Sequence, residues 1–257
     1  MAPADILAYV GAASWLPQIV QWVYSAIKKP TLLLVSGETV GVTYTGFGPM
    51  VLMTTAISTE KKDALIKTIR LKVTHEKGDH HRLRWTWLNE SGIQMNVPTG
   101  EKVEIGKNQP ALALKVSTVS LVEKKITFVD HEVQGLIESG VDKIGRHYDY
   151  LKRNSEPNPE DTLLKSKEFV DAYELFKRNL YWKAGTYELE VQMTVVGMSK
   201  AYKQKFSMSL TPADIDLLES NVAMFDGHVR ANLVARAGQP AKWPQQKWVS
   251  PRISQTW

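Results

Sequence analysis

Cysteine is absent from the 257-residue sequence. Its absence removes disulfide staples, Cys-ligated zinc, iron–sulfur clusters and thiol nucleophiles together, and leaves the redox compartment open. Also missing are a phosphate loop ending in GK[ST], a GxSxG nucleophile elbow and a GxGxxG dinucleotide turn. The letters HEKGDH at 75–80 resemble a zinc-protease motif with one residue too many, on a segment that reads as a turn, whereas HExxH needs a helix to bring both histidines to one side. No catalytic group, metal ligand set or cofactor is therefore assigned. Neither sign of charge dominates: 32 Lys and Arg against 27 Asp and Glu leave a formal +5, too modest to name a partner, so position matters more than the sum. With 43% apolar and 23% charged residues the chain has the composition of a folded globular protein, long enough for one large or two small domains.

Charge is missing most conspicuously between Asp5 and Lys28. The run ILAYVGAASWLPQIVQWVYSAI, residues 6–27, has about the length a helix needs to cross a bilayer. It is preceded by Asp5 and by no Lys or Arg, which argues against a cleaved signal peptide. Ser14, Gln18, Gln21 and Ser25 recur at helical intervals and form one polar stripe, the pattern of a helix–helix contact. Trp15, Trp22 and Tyr24 would suit a headgroup interface, and Pro17 a kink. Residues 1–30 are thus expected to form a membrane-associated or assembly helix, with membrane lipid, a second copy or a membrane protein as partner. Lys28 and Lys29 after the run would leave the globular part in the cytoplasm. A buried helix of a soluble domain is the competing reading.

From residue 31 the periodicity changes to two. Candidate strands fall near 31–35, 39–45, 50–58, 65–75, 81–88, 111–121, 124–130, 185–196 and 199–210, many short strands with turn residues between them. The expected class is mainly β with added helices (α+β): an antiparallel β-sandwich over 31–210 with a helical insertion near 133–180. In the first inserted helix Val133, Ile137, Ile144, Tyr148 and Leu151 keep near-helical spacing despite Gly135, Gly140 and Gly145. In the second, Asn158, Pro159, Glu160 and Asp161 make a helix start, and Leu163, Val170, Tyr173, Phe176 and Leu180 one face. Residues 211–257 supply a further helix from Thr211 and Pro212, then a tail whose Trp243, Trp248 and Trp257 either dock on the body or mark a partner surface. The phrase KAGTYELEV, residues 183–191, is similar to the late strand of immunoglobulin-like sandwiches, where a Gly-x-Tyr forms a tyrosine corner; that resemblance implies an Ig-like sandwich, here without a Cys…Trp…Cys framework.

The stretch IRLKVTHEKGDHHRLRW, residues 69–85, reads as a hairpin. Ile69, Leu71 and Val73 alternate on one strand and Leu83, Trp85 and Trp87 on the other. Pairing 73 with 83 and 71 with 85 brings the apolar sets to one face, and sets Lys72 against Arg84. The outward face then carries Arg70, Lys72, His80, Arg82 and Arg84. Like charges opposed on a sheet are mildly unfavourable, and a solvated edge that deters aggregation would look the same. The second hairpin, 186–210, sets Glu188 and Glu190 beside Lys203 and Lys205, the ordinary mixture. The departure of the first favours an anion-binding strip on a non-enzymatic membrane-associated binding or assembly module, contacting anionic lipid or an acidic partner. An enzyme of unrecognised type on the same scaffold is the alternative. Nucleic acid is disfavoured, because no outward aromatic interleaves with the arginines.

Overall fold

The computed structural model describes residues 15–20, 23, 28–96 and 102–256. Ten strands form one sheet: β1 Thr31–Thr45, β2 Gly48–Glu60, β3 Ala64–His75, β4 His80–Asn96, β5 Lys102–Pro110, β6 Leu114–Val116, β7 Val122–Val129, β8 Gly185–Val195, β9 Tyr202–Leu210 and β10 Ile253–Thr256. The hydrogen-bonded order is β1-β2-β7-β4-β3-β8-β9-β10, with β5 beside the far half of β4 and β6 beside the start of β3. All pairings are antiparallel.

The two ends of this order nearly meet. Val42 donates to the Val249 carbonyl at 2.9 Å and accepts from the Val249 amide at 3.0 Å, and the Val40 amide reaches the Pro251 carbonyl at 3.1 Å. The protein is therefore mostly antiparallel β, curled into a nearly closed, barrel-like sheet with several helices. The Ig-like sandwich is corrected by this continuous path, which runs through neighbouring strands and back to β1 through the segment before β10. The tail expected to dock on the body supplies that seam. Trp248 lies over Gly41, where a Cβ would come within 3.1 Å of the indole. The tyrosine corner itself is present, since the Tyr187 hydroxyl accepts from the Lys183 amide at 2.7 Å and donates to the Lys183 carbonyl at 2.9 Å. It is a local device for fixing a strand entrance, and it says nothing about how the sheet closes.

Alternation fills the interior. Val42, Val51, Met53, Ile69, Leu71, Leu83, Leu189 and Val191 are at most 2% exposed and join Phe128, Trp182 and Phe206 in one core. A second core lies among the helices: α1 His131–Arg153, α2 Pro159–Leu164 and α3 Lys167–Arg178 between β7 and β8, then α4 Pro212–Glu219 and α5 Phe225–Arg236 after β9. Ile137, Ile144, Phe176, Phe225 and Val229 meet there around Tyr44 at the end of β1. The Tyr44 hydroxyl donates to the Phe176 carbonyl. Gly140 and Gly145 do not break α1; they permit close approach, because a Cβ at 140 would lie 3.2 Å from that of Ala172 and one at 145 would lie 2.6 Å from the Arg236 guanidinium. The helix begins at Asp130, whose carboxylate accepts from the amides of Glu132 and Val133 at 3.1 and 3.2 Å.

The membrane-spanning helix expected over 6–27 is also corrected. Among the described residues no helix is long and apolar enough to cross a membrane. Residues 15–20 and 23 are helical and exposed, and Pro17 and Gln18 interrupt their apolar character. Of the polar stripe, only Gln18 is described; Ser14, Gln21 and Ser25 lie outside the described residues, as does Trp257.

Candidate functional site

Leu71, Val73 and Leu83 are at most 1% exposed, so their strands have no freedom of facing: the residues between them must point outward. The register sets Arg70 opposite Arg84, Lys72 opposite Arg82 and Thr74 opposite His80. This differs by two positions from the pairing expected of the sequence, which opposed Lys72 to Arg84. The reason lies at the tip. The turn comes one residue earlier, over Glu76–Gly78, with the His75 amide bonded to the Asp79 carbonyl at 2.8 Å, so that Gly78 rather than Asp79 takes the last, left-handed position at φ +95°. An even shift preserves every facing, so the basic strip survives it. In this register His81 pairs with Val73, and His75 with Tyr187 of β8.

Opposed positions stand about 5 Å apart across the strands, and alternate positions about 7 Å apart along them. Arg70, Lys72, Arg82 and Arg84 thus form a two-by-two grid of cations, with His80 exposed at its tip end. Strand β8 adds Glu190 beside Lys72 and Gln192 beside Arg70, and β9 adds Lys203 beside Gln192. Arg70, Lys72 and Arg82 line, with Glu190, Gln192 and Lys203, a groove of about 450 Å³. Its one carboxylate is already engaged: Glu190 accepts from the Gln192 amide and from Lys203 Nζ at 3.1 Å, and the Gln192 bond, followed by the lysine, holds it below the ordinary carboxylate range. Lys205 pairs with Glu188 at 3.0 Å. Among the described residues no carboxylate lies within ion-pair distance of Arg70, Lys72, Arg82 or Arg84.

The hairpin carrying the grid is clamped at both ends of its inner face. At the tip, Lys183 meets Asp79 at 2.7 Å, and the hydrogen bond from that lysine is the main reason the Asp79 carboxyl sits below its usual range. Glu76 accepts from the Thr186 amide at 3.0 Å and donates its own amide to the Thr186 carbonyl at 2.9 Å. Gly185 (φ +137°) is required at this junction, because a Cβ there would lie 2.6 Å from His75 Nε2 and 2.7 Å from Glu76 Oε1. Deeper in, the His81 ring stacks on Tyr181 with centroids 3.4 Å apart and planes 8° apart, and its Nδ1 lies 3.9 Å from Asp130 Oδ2. Burial pulls the imidazole below its ordinary pKa despite that carboxylate, and burial with the Asp130 charge pushes the Tyr181 hydroxyl well above its own. Through Asp130 the inner side of the hairpin is tied to the start of α1.

Sequence reasoning placed the strip but missed the clamp. The signal for Asp130 was legible, a capping residue directly after the apolar run ITFV. His81 and Tyr181 lie 100 positions apart, and nothing local joins them.

No protein-family model matches the sequence, and no curated protein matches it. Among solved structures, a family 123 glycoside hydrolase from Clostridium perfringens is similar over 71% of this chain at 9% identity and a TM-score of 0.33. The chain spans 28% of that protein's length.

Proposed function

We propose that this chain is a non-enzymatic binding or assembly module whose basic β3–β4 face receives an acidic protein surface. The observation that carries the reading is the grid of Arg70, Lys72, Arg82 and Arg84, set in opposed pairs without a carboxylate partner among the described residues, while the lysines of the neighbouring β8–β9 hairpin are neutralised. Keeping four cations together has a small electrostatic cost that a bound anion removes. Clamping the hairpin at its tip and through His81 lowers the ordering cost of binding, because the cations are presented on a fixed backbone. On this reading the helices between β7 and β8 are an insertion that anchors the hairpin through Asp130. No aromatic is interposed between Arg70, Lys72, Arg82 and Arg84 to stack a base, which favours a carboxylate-bearing partner over a nucleic acid.

The test is retention on immobilised poly-L-glutamate across a salt gradient. The native protein should be retained and should elute at clearly higher salt than Arg82→Ser/Arg84→Ser, with the thermal midpoint little changed. Co-elution of the two proteins would sink the proposal. Salt-sensitive binding to single-stranded DNA that exceeds poly-L-glutamate binding and disappears in the same variant would replace it with the nucleic-acid reading.

A further inference from the structure

On the helical side of the molecule a cleft of about 650 Å³ opens between α1, α5, the β1–β2 turn and the segment before β10. We propose that it binds an uncharged, planar nitrogen heterocycle of purine size. Two exposed aromatic side chains supply flat surface, Phe47 from the turn and Trp243 from the C-terminal segment, above a floor that includes the buried Phe225 at the start of α5. Phe47 is 42% and Trp243 48% exposed, an unusual outlay of apolar surface around one opening. Phe225 is fixed from behind by Phe169, Tyr173 and Phe176, whose centroids lie 4.9–5.9 Å from its own. The backbone beside Trp243 is held, since Pro244 presses on Gly227 so closely that a Cβ there would lie 2.8 Å from Pro244 Cγ. An exposed ring on a backbone held in this way can receive a planar guest on its face at a reduced ordering cost.

The polar lining decides the charge of the guest. Asp142 is held by Arg146 at 3.0 Å and by Arg236 at 3.1 Å, so the ionic groups at the rim already neutralise one another. Glu138 accepts from the Gln134 amide at 2.8 Å and keeps its charge, which disfavours an anionic guest. Ser139, His228 and Asn232 complete the polar lining. His228 is 7% exposed, and burial pulls its pKa down. Its Nε2 lies 3.0 Å from the Gln246 side-chain amide, so one ring nitrogen is already engaged within the protein. Asn232 is half-buried, and its amide, with a donor and an acceptor on one edge, joins no hydrogen bond among the described residues. Exposed aromatic surface and an unengaged amide in one cleft match a ring that offers a π-face and a mixed donor–acceptor edge, while Glu138, and the engagement of Arg146 with Asp142, disfavour a phosphate or a carboxylate.

The experiment titrates the full chain with adenine and follows the Trp243 indole N–H and Asn232 side-chain amide signals by NMR, with calorimetry for affinity. Adenosine 5′-monophosphate and cyclohexanol serve as charged and non-planar comparators. Saturable adenine binding is expected, no tighter for the monophosphate, absent for cyclohexanol, and weakened about tenfold or more by Trp243→Ala and by Asn232→Ala. Both positions are outside the buried core, and unchanged thermal midpoints will confirm that the variants fold. The proposal is overturned if adenine gives no saturable shift, if neither variant alters its affinity, if cyclohexanol binds equally well, or if the monophosphate binds much more tightly.

Discussion

Two hairpins lie side by side in the same sheet and solve the same problem differently. In β8–β9 each outward lysine has a carboxylate, Lys203 with Glu190 at 3.1 Å and Lys205 with Glu188 at 3.0 Å. In β3–β4 the outward pairs are Arg70 with Arg84 and Lys72 with Arg82. Inside the barrel the two are alike, with Leu71, Leu83, Leu189 and Val191 all at most 2% exposed. Stability is thus set on the inner face, where a side chain is worth kilocalories, and the outer face is left free to specialise at a cost of tenths.

The largest effect should come from testing that division directly. Leu71→Ala is expected to destabilise the fold by about 2–5 kcal/mol in urea, while Arg82→Ser, on the opposite face of the paired strand, should lie within about 0.5 kcal/mol of the native protein. Comparable losses would show that the outer face also carries structure.

Next is the joint between the hairpins. Gly185→Ala places a Cβ against His75 and Glu76 at a left-handed backbone position, and should cost about 1–3 kcal/mol. Because the tip clamp is shared, amide exchange should rise in both the 75–80 turn and the start of β8. Faster exchange on one side alone would mean that the hairpins are not coupled there.

Acid should separate the two. His81, on the first hairpin, and His228, near α5, have pKa values pulled down by burial, so the unfolded chain binds more protons than the folded one as pH falls below about 6.5. Their contribution is complete above that value and is lost as pH drops through it toward the folded values. Glu190, on the second hairpin, is shifted downward as a carboxylate, so its contribution persists until pH falls below about 4.3. Urea midpoints should therefore decline between pH 6.5 and 5, and His81→Gln should flatten part of that decline. A slope unchanged in this variant would remove His81 from the account.

The smallest effect is a conversion of one hairpin into the other. Arg84→Glu gives Arg70 an opposed carboxylate, with Val129 on its other side, and should raise stability by about 0.2–1 kcal/mol while reducing retention on poly-L-glutamate. Unchanged retention would separate Arg84 from the binding surface.

Much of this contrast was legible in the sequence, because facing depends only on alternation. The β3–β4 hairpin was expected two positions out of register and kept its faces, since only an odd slip exchanges inside for outside. Strand and helix periodicities could be read because each is a property of neighbouring residues, and the buried positions of α1, among them Ile137, Ile144 and Leu151, follow the spacing that marked it. Strand β10 was invisible: its four residues, ISQT, carry one partly buried side chain and are strand only through pairing with β9. Without it, nothing local could distinguish a curled sheet from two stacked ones. The contact of His81 with Tyr181 and the cleft around Trp243 were hidden for the same reason, as each is assembled from segments far apart in the chain.

The seam between β1 and the segment before β10 carries a kinetic consequence. The Thr43 hydroxyl donates to the Lys247 carbonyl across a sequence separation of 204 residues. A contact so remote is entropically late, forming after the local hairpins have already done so. Until it forms, β1 and β9 are unprotected edges with open backbone donors and acceptors, able to accept the same segment from a neighbouring molecule. Refolding at high protein concentration should accordingly favour domain-swapped dimers exchanging residues 249–256, and dilution should suppress them, so the last step of closure is where this fold is most vulnerable to misassembly.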